Sequence, residues 1–503
     1  MFDDLTRVPQ NTEREAMRLG LQHSYLDLPS PFYARVNPTP VASPHLVVFN
    51  AALASDLGLE PGFVELAAAV LSGNELPEDA NPIAMAYAGH QFGGFVPRLG
   101  DGRAILIGEL TGRDGMLRDI QLKGAGLTPF SRNGDGRAAL GPMLREYLIS
   151  EAMHALGIPT TQSLAVVSTG EQVYRDRALP GAILTRVAAS HVRVGTFQYF
   201  AAKGDQDALQ VLLEYVISRH YPAARDSHSP ALAVLAAVAQ RQVALIADWM
   251  LLGFIHGVMN TDNVAISGET IDYGPCAFMD DYDPQTVFSS IDSNGRYAYA
   301  NQATIARWNM ARFAETLLPL IDPDMDKAVG LATEVIEPFV TQVDSRFLAG
   351  LRAKIGLSTA VDGDDELIRA LLSAMQHSRA DFTLTFRHLA LAAARPDEQM
   401  RVRELFSIAS DIDKWLKDWE QRLALDPQSP VDRAARMRAT NPAFIPRNHR
   451  VEAALKAAEA NDYGPFNKLL TILQRPYDDQ SEVAEYAQPP QPSERVLQTF
   501  CGT

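Results

Sequence analysis

Short runs of alternating apolar and polar side chains after residue 100 predict a set of β-strands. The clearest runs are RAILIGEL (103–110) and DIQLKG (119–124), and three more strands are predicted within 163–188. Residues 139–156 place apolar side chains at helical spacing before a glycine and a proline, which predicts one amphipathic helix. Residues 32–50 contain three prolines and are predicted to be extended or irregular. The pattern therefore predicts a strand-rich region around a single helix.

Helical spacing dominates the sequence from about residue 205 onward. The longest apolar run, 232–255, is interrupted by three consecutive polar residues and by Asp248, so it predicts a buried helix and not a membrane span. A hairpin is predicted from residues 263–267 and 269–274, with its turn at Gly268. The predicted helices of this part cover residues 209–218, 231–254, 302–320, 325–356, 364–380 and 400–424.

Residues 253–266, GFIHGVMNTDNVAI, have the spacing of a protein-kinase catalytic loop but lack its aspartate. His256 and Asn263 stand at the required separation, whereas Val258 occupies the position of the aspartate and cannot accept a proton. Further along, Asp272 opens a DYG sequence that is similar to the kinase D-F-G. The oxygens of Asn263 and Asp272 could converge on one Mg²⁺, which favours hard ligands. A purely structural hairpin with polar turn residues is the alternative.

Two further carboxylates and one lysine are candidates for the same site. Asp262 is the carboxylate nearest to the missing aspartate, and it could act as a base, orient the metal or merely cap a turn. Lys123 ends the second predicted strand, and Glu146 lies in the predicted helix that follows. Kinases pair a strand lysine with a helix glutamate to hold a cation against the phosphates. The alternative is a solvated lysine and an unrelated surface glutamate.

Two glycine-rich segments and two arginines are candidates for binding phosphate. RLGDGRA (98–104) and NGDGRA (133–138) both contain Gly-Asp-Gly-Arg, in which glycine lets the backbone approach phosphate and arginine binds its oxygens. Neither segment matches a complete P-loop or dinucleotide-binding motif. Arg186 and Arg193 add further positive charge. Any one of these arginines is weak support, but together they indicate more positive charge at the phosphates than an ordinary kinase needs.

These patterns predict an α+β chain with a bilobal, protein-kinase-like fold and extensions at both termini. A nucleotide would lie in the cleft between a strand-rich N-lobe and a helical C-lobe. Residues 1–80 are predicted to be an N-terminal extension, and 81–200 the N-lobe with the nucleotide-binding loops. Residues 201–480 are predicted to form the C-lobe with the catalytic loop and metal site, and 481–503 a Pro-rich tail that contains Cys501.

Composition and charge limit the kinds of function that the chain can have. The chain has 503 residues, of which 47% are apolar, and this is enough for a large core in more than one lobe. A formal net charge of −16 disfavours a nucleic-acid binder, which needs a basic face. No apolar run opens the chain, and its two cysteines suit a reducing compartment. We therefore expect a cytoplasmic protein without a nucleic-acid or membrane partner.

Seven stretches within the first 320 residues resemble the selenoprotein O family, whose members are protein-kinase-like protein adenylyltransferases. Within one of them, the long motif QLKGAGLTPFSRNGDGRAALGPMLREY (121–147) is highly specific and shows no departure from the family pattern. The matching stretches occupy residues 32–41, 87–104, 119–161, 190–200, 253–263, 270–280 and 294–315.

The resemblance implies transfer of AMP from ATP to Ser, Thr or Tyr hydroxyls of proteins, with pyrophosphate leaving and ATP held in a flipped orientation. It implies Mg²⁺ as cofactor, with Mn²⁺ as the alternative, ATP as co-substrate, proteins as substrates, and a monomer. Asp262 corresponds to the proton acceptor, Asn263 and Asp272 to the metal ligands, and Glu146 to the partner of Lys123. The implied nucleotide-binding residues are Gly100, Gly102, Arg103, Lys123, Asp135, Gly136, Arg186, Arg193 and Asp272.

The same resemblance implies a role for the two cysteines. Cys276 follows DYGP, and Cys501 lies near the end of the chain, where eukaryotic relatives carry selenocysteine. The resemblance implies a reversible Cys276–Cys501 disulfide that ties the tail across the active-site loop. The alternative is two unrelated thiols in a reducing compartment.

Two other functions stay open. Val258 disfavours an ordinary phosphotransferase, because the usual catalytic base is absent. A non-catalytic nucleotide-binding scaffold is disfavoured by the combination of Lys123, Asn263 and Asp272, since a scaffold has no need for a complete metal site.

Overall fold

A seven-stranded antiparallel sheet forms the first part of the computed structural model, which describes residues 17–500. The strands up to residue 190 are β1 (Tyr33–Arg35), β2 (His45–Phe49), β3 (Ile83–Met85), β4 (Gly89–Gln91), β5 (Gly94–Val96), β6 (Ala104–Thr111), β7 (Leu117–Lys123), β8 (Gln162–Tyr174) and β9 (Ala178–Ala188). The sheet has the order β1-β3-β6-β7-β9-β8-β2, while β4 and β5 pair as a separate hairpin. The strands predicted at 103–110 and 119–124 are confirmed as β6 and β7.

Both faces of the sheet are covered by helices. These are α1 (Ala51–Asp56), α2 (Phe63–Leu71) and α3 (Leu140–Ala155), the last of which confirms the helix predicted at 139–156. Successive side chains of a strand point to opposite faces, so Leu106 in β6 joins the core beside α3, and Ile105 joins the core beside α1 and α2. Because both faces are buried, the ends of the strands are available for a site, and Lys123 stands at one of these ends.

The chain from Val194 to Leu473 is mainly helical. Its helices are α4 (Val194–Ala201), α5 (Gln206–His220), α6 (Pro230–Leu251), α7 (Gln302–Ile321), α8 (Met325–Ile336), α9 (Phe339–Lys354), α10 (Asp364–Ser378), α11 (Phe382–Ala392), α12 (Gln399–Arg403), α13 (Ala409–Ala424), α14 (Pro430–Thr440), α15 (Asn448–Glu459) and α16 (Gly464–Leu473). Two short strands, β10 (Phe254–Ile255) and β11 (Ala277–Phe278), pair on either side of the predicted catalytic loop. The last helices, α15 and α16, return to pack against α3.

The apolar helix α6 lies at the centre of the helical part. By length and composition alone it is apolar enough to cross a membrane, but more than half of its most apolar window is buried inside the protein. It packs against α7, α8 and α9. The predicted buried helix is therefore confirmed, and a single apolar helix of this kind is weak support for a membrane span.

The hairpin predicted across 263–274 is wrong. Thr261–Asn263 forms a 3₁₀ turn, and the residues that follow form isolated bridges to other parts of the chain. The reason lies in the partners of the backbone hydrogen bonds. The N–H of Ile266 donates to Val192, and the N–H of Thr270 donates to the loop before β8. Two segments that bond to other partners in this way do not pair with each other.

Three other elements differ from their predictions. β8 runs through the region predicted as two strands, with a register shift between Ser168 and Gln172 around Gly170, whose φ is +71°. The helix predicted at 325–356 is divided into α8 and α9, because Pro338 cannot continue the hydrogen-bond ladder. The helix predicted at 400–424 is likewise divided into α12 and α13, and α11, α14, α15 and α16 are not among the predicted helices.

The order of a sheet first and helices second makes the chain a mixed α/β protein with a strand-rich part and a helical part. Its kinase-like character and the four domain boundaries stay predictions. The predicted extended segment at 32–50 contains the two short strands β1 and β2.

Candidate active site

A lysine and two carboxylates meet at the end of β7. Lys123 Nζ donates hydrogen bonds to Glu146 Oε2 and to Asp272 Oδ1, each at 2.7 Å. The strand positions the lysine and α3 positions the glutamate, so the structure brings together the pair that the sequence suggested. The side chains of Lys123 and Glu146 are 12% and 4% exposed, so solvent screens this cation weakly.

Asp272 is the centre of the cluster. Its φ is +63°, a left-handed conformation that aspartate adopts more readily than most residues. Its carboxylate also accepts hydrogen bonds from Arg186 Nη2 at 2.5 Å and from Arg193 Nη1 at 2.9 Å. Burial alone would raise the pKa of Asp272, but Arg186, Lys123 and Arg193 together hold it well below its usual range. Asp272 is therefore a fully ionised carboxylate at neutral pH.

The two arginines connect this carboxylate to its neighbours. Arg186 is almost fully buried and also donates to Glu146. Arg193 stands directly before α4, donates to the carbonyl of Asp262 at 2.8 Å, and places its guanidinium group 4.8 Å from the centre of the Tyr87 ring. Lys123, Arg186 and Arg193 thus converge on Asp272, and such a group of cations can bind an anionic ligand.

Asp262 is a buried carboxylate with one unpartnered oxygen. Gln91 Nε2 donates to its Oδ2 at 3.2 Å, and its Oδ1 has no hydrogen-bond partner among residues 17–500. A Cβ added at Gly89, in the β4–β5 hairpin, would lie 2.4 Å from that Oδ1, so only glycine fits there. Burial raises the pKa of Asp262 to about 6, although Arg193 and Gln91 oppose the shift. A carboxyl group that titrates near neutral pH can serve as a proton acceptor.

Three hydrogen bonds hold the predicted catalytic loop in place. His256 Nε2 donates to the Ile271 carbonyl at 2.9 Å, and His256 Nδ1 accepts from the Val258 N–H at 3.4 Å. Asn263 Nδ2 donates to the Val258 carbonyl at 3.0 Å. Burial lowers the pKa of His256, so the neutral ring can donate at one nitrogen and accept at the other. His256 therefore fastens the loop to the residue that precedes the DYG sequence.

The oxygen atoms around this loop are of the kind that Mg²⁺ prefers. The part of the chain that the structure describes contains no group of three His, Cys, Asp or Glu side chains suited to a metal ion. Asn263 uses its amide nitrogen on the loop, which leaves its oxygen for another partner. Together with the Asp272 carboxylate, this oxygen fits an ion that takes few protein ligands and shares phosphate oxygens. Lys123, Arg186 and Arg193 occupy the carboxylate oxygens of Asp272. A metal ion can therefore bind Asp272 only when these cations turn toward an anionic ligand.

The glycines of the two Gly-Asp-Gly-Arg segments are required by close packing. A Cβ at Gly100 would lie 2.3 Å from the Phe130 ring, and one at Gly102 would lie 3.0 Å from the Phe130 carbonyl. A Cβ at Gly136 would lie 2.2 Å from the backbone of Gly126. Packing alone accounts for glycine at these positions, and the predicted contacts with phosphate stay predictions.

Arg103 and Asp135 have different surroundings. Arg103 immediately precedes β6, and its carbonyl accepts a hydrogen bond from Gly124, the residue after Lys123. Asp135 forms an ion pair with Arg175 at 2.8 Å and is about half exposed. The structure therefore brings the backbone of Arg103 to the lysine end of β7 and directs Asp135 toward Arg175. The nucleotide-binding roles of both residues stay predictions.

Sequence reasoning missed the polar residues that support the cluster. Gln121 lies two residues before Lys123 on the same face of β7, where it donates to Asp101 and meets Arg186. The period of two along a strand is a signal that could have found it. Gln91, by contrast, is 171 residues from its partner in sequence, and no local pattern indicates that contact.

The described end of the tail lies beside Cys276. Thr499 Oγ1 donates to the Pro275 carbonyl at 2.6 Å, and its N–H donates to the Phe288 carbonyl. Burial raises the pKa of the Cys276 thiol to about 11. The tail thus reaches the residue before this cysteine. Cys501 lies outside the described residues, so the disulfide stays a prediction.

A lysine–glutamate pair, an aspartate bound by cations and an asparagine-bearing loop form a centre of the kind found in enzymes that handle phosphate groups. The family model for "Protein adenylyltransferase SelO" matches residues 15–474. The protein nucleotidyltransferase YdiU of Rhizobium rhizogenes is 60% identical over 491 residues, which cover 97% of this chain and 98% of that protein. The protein of the same name from Bradyrhizobium sp. (strain ORS 278) is 61% identical over 485 residues, or 96% and 99% of the two chains. The chain therefore belongs to the SelO family, and the resemblance to selenoprotein O is confirmed.

Proposed function

We propose that this chain is a protein adenylyltransferase that transfers AMP from ATP to a Ser, Thr or Tyr hydroxyl of a protein and releases pyrophosphate. The observation that carries the proposal is the convergence of Lys123, Arg186 and Arg193 on Asp272, beside the buried carboxylate of Asp262. Membership of the SelO family and the names of its relatives, which are protein nucleotidyltransferases, support the same activity.

In this proposal ATP lies between the sheet and the helical part, as in a kinase-like fold. Arg186 and Arg193 bond to Asp272, and phosphate oxygens offer guanidinium groups the same kind of partner with more negative charge. A triphosphate tail directed toward these buried arginines leaves the α-phosphate facing outward to the acceptor. That orientation is the flipped one implied by the family resemblance.

Asp272 and Asn263 would hold Mg²⁺, with Mn²⁺ as the alternative. The bound ion neutralises charge on the phosphate oxygens. Lys123, fixed by Glu146, binds and orients the same oxygens. The oxygen of the acceptor hydroxyl attacks the α-phosphorus, and Asp262 accepts the proton that this hydroxyl loses. Since such transfer depends mainly on positioning and charge stabilisation, the chain functions without the usual kinase aspartate.

The acid side of the pH–rate profile is expected to report the ionisation of Asp262. Only the ionised carboxylate accepts a proton, and its pKa is about 6, so the transfer rate should fall to about a tenth of its maximum at about pH 5. Gln91→Ala removes a hydrogen bond that lowers this pKa, so the acid limb should move to higher pH. The measurement is kcat/KM for the acceptor protein between about pH 5 and pH 9.

Gln210→Ala, an exposed substitution on α5, is the matched control for this profile and should leave the acid limb in place. Asp262→Asn should remove the limb together with most of the activity, because the amide cannot accept the proton. If the acid limb of the pH–rate profile keeps its wild-type position in both Gln91→Ala and Asp262→Asn, a group other than Asp262 is titrating.

ATP labelled at a single phosphate tests the transferred group. In parallel reactions with one acceptor protein, label at the α-phosphate should be incorporated, and label at the γ-phosphate should leave with pyrophosphate. Incorporation of the γ-label alone would instead identify a phosphotransferase. Binding of labelled ATP without incorporation of either label would support a nucleotide-binding scaffold.

A further inference from the structure

We propose that the β4–β5 hairpin and the neighbouring Arg296 form the docking surface for the acceptor protein. We infer that this surface selects an extended segment with a carboxylate next to the acceptor hydroxyl. The inference rests on the proposed function, because it describes the substrate from which Asp262 would take a proton. Its support comes from the attachment of the hairpin to the active-site loop, from the exposed aromatic side chains and from the position of Arg296.

The hairpin is fixed to the loop that carries Asp262. The His90 N–H donates to Thr261 Oγ1 at 2.7 Å, and the Phe92 N–H donates to Asn260 Oδ1 at 3.1 Å. The glutamine between them reaches Asp262 itself. A protein segment that lies along the hairpin is therefore held next to the proposed proton acceptor.

The turn of the hairpin displays an aromatic side chain in an unfavourable conformation. Phe92 and Gly93 form this two-residue turn, with φ values of +51° and +88°. Turns with two left-handed residues favour Asn, Asp or Gly, because a bulky side chain is strained in that region. Phe92 is nevertheless 38% exposed, and Phe95 on the next strand is 41% exposed. Strained and exposed aromatic residues beside a catalytic loop are typical of a binding surface.

Arg296 brings positive charge to this turn. A Cβ added at Gly93 would lie 3.6 Å from its guanidinium carbon. The guanidinium groups of Arg296 and Arg312 lie 4.9 and 5.2 Å from the centre of the Trp308 ring, so the indole holds both in place. Arg312 forms an ion pair with Glu315, whereas no carboxylate within residues 17–500 forms one with Arg296. Its guanidinium group also lies 5.8 Å from the centre of the Tyr297 ring, and without a carboxylate partner among these residues it can still bind a carboxylate of another molecule.

An acidic, extended segment suits this surface best. β5 pairs with β4 on one side and, among the described strands, has no partner on the other. The backbone of an extended segment can therefore add along this edge, as in other cases of strand addition. The formal net charge of the chain is −16, but Arg296 has no carboxylate partner among the described residues, so this position favours a negatively charged ligand.

Two fluorescent peptides test the docking surface, each with one central tyrosine flanked by aspartates or by lysines. Anisotropy titrations of the full chain, at low ionic strength and without ATP, give the Kd of each peptide. We expect the aspartate peptide to bind about tenfold more tightly than the lysine peptide. Arg296→Glu should abolish this preference, and Arg296→Gln, which removes the charge without reversing it, should reduce it. Phe95→Ala should weaken the binding of both peptides.

Two exposed substitutions serve as controls. Arg369→Glu on α10 makes the same charge reversal as Arg296→Glu at an exposed position away from the hairpin. Leu425→Ala removes an exposed apolar side chain, as Phe95→Ala does. Both control variants should bind the peptides like the wild type. Equal Kd values for the two peptides, or an Arg296→Glu variant that behaves like Arg369→Glu, would overturn the inference. Self-association that Phe95→Ala abolishes would also overturn it, because the surface would then join two copies of the chain. Selective binding without any AMP transfer would count against the proposed function alone, since the titrations need no chemistry.

Discussion

Asp272→Asn is expected to lower the rate of AMP transfer by about a thousandfold. The substitution removes the charge on which Lys123, Arg186 and Arg193 converge, and with it the carboxylate proposed to hold Mg²⁺. Asparagine has nearly the same shape, so the loss reports the charge and not the volume. The measurement is the initial rate of acceptor modification at saturating ATP and Mg²⁺. Asp114→Asn, in an exposed turn, is the matched control and should retain the wild-type rate.

Thermal unfolding of the same variant separates the chemistry from the stability of the fold. Three cations that lose their shared carboxylate repel one another, so we expect the Tm of Asp272→Asn to fall as well. The assay temperature should therefore lie below the Tm of the variant. Wild-type turnover in folded Asp272→Asn would refute the central role given to this aspartate.

Lys123→Ala is expected to reduce the transfer rate about a hundredfold and to weaken ATP binding. The ammonium group bonds to both Glu146 and Asp272, so its loss removes a cation from the phosphates and leaves two carboxylates without the charge between them. Lys123→Arg should recover little of the lost transfer rate, because a planar guanidinium group does not fit a site shaped for a compact ammonium group. The measurements are kcat and KM for ATP, with the exposed Lys456→Ala on α15 as control.

An unchanged KM for ATP in Lys123→Ala, with kcat also retained, would mean that the ion pair serves the fold alone. A fall in Tm without a change in kinetics would lead to the same conclusion. We expect instead that both kinetic constants change, because the three cations that converge on Asp272 can also bind the phosphates of ATP.

Much of the fold could be predicted where local patterns decide the structure. The alternation in β6 and β7 and the spacing in α3 were sufficient, because each of these elements buries a regular set of apolar side chains. The segment 263–274 could not be predicted in the same way. Its composition suits a hairpin, but its backbone bonds to Val192 and to the loop before β8, and only the assembled fold supplies those partners.

In the candidate site, too, local patterns predict some of the contacts, and only the assembled fold brings the others together. Lys123 and Glu146 could be paired from sequence, because a strand end and the following helix lie close together in this architecture. The sequence predicts Arg186 and Arg193 as phosphate ligands but does not indicate their contact with Asp272, since guanidinium groups bind carboxylates and phosphates alike. The contact of Gln91 with the active-site loop spans 171 residues, and it depends on a hairpin whose function no local pattern reveals.

Intact mass spectrometry of an acceptor protein tests the central claim most directly. The acceptor would be incubated with ATP, Mg²⁺ and either the wild-type chain or Asp272→Asn. We predict the added mass of one or more adenylyl groups with the wild type and none with the variant. An added phosphoryl mass would contradict AMP transfer and would identify an ordinary phosphotransferase with an unconventional base.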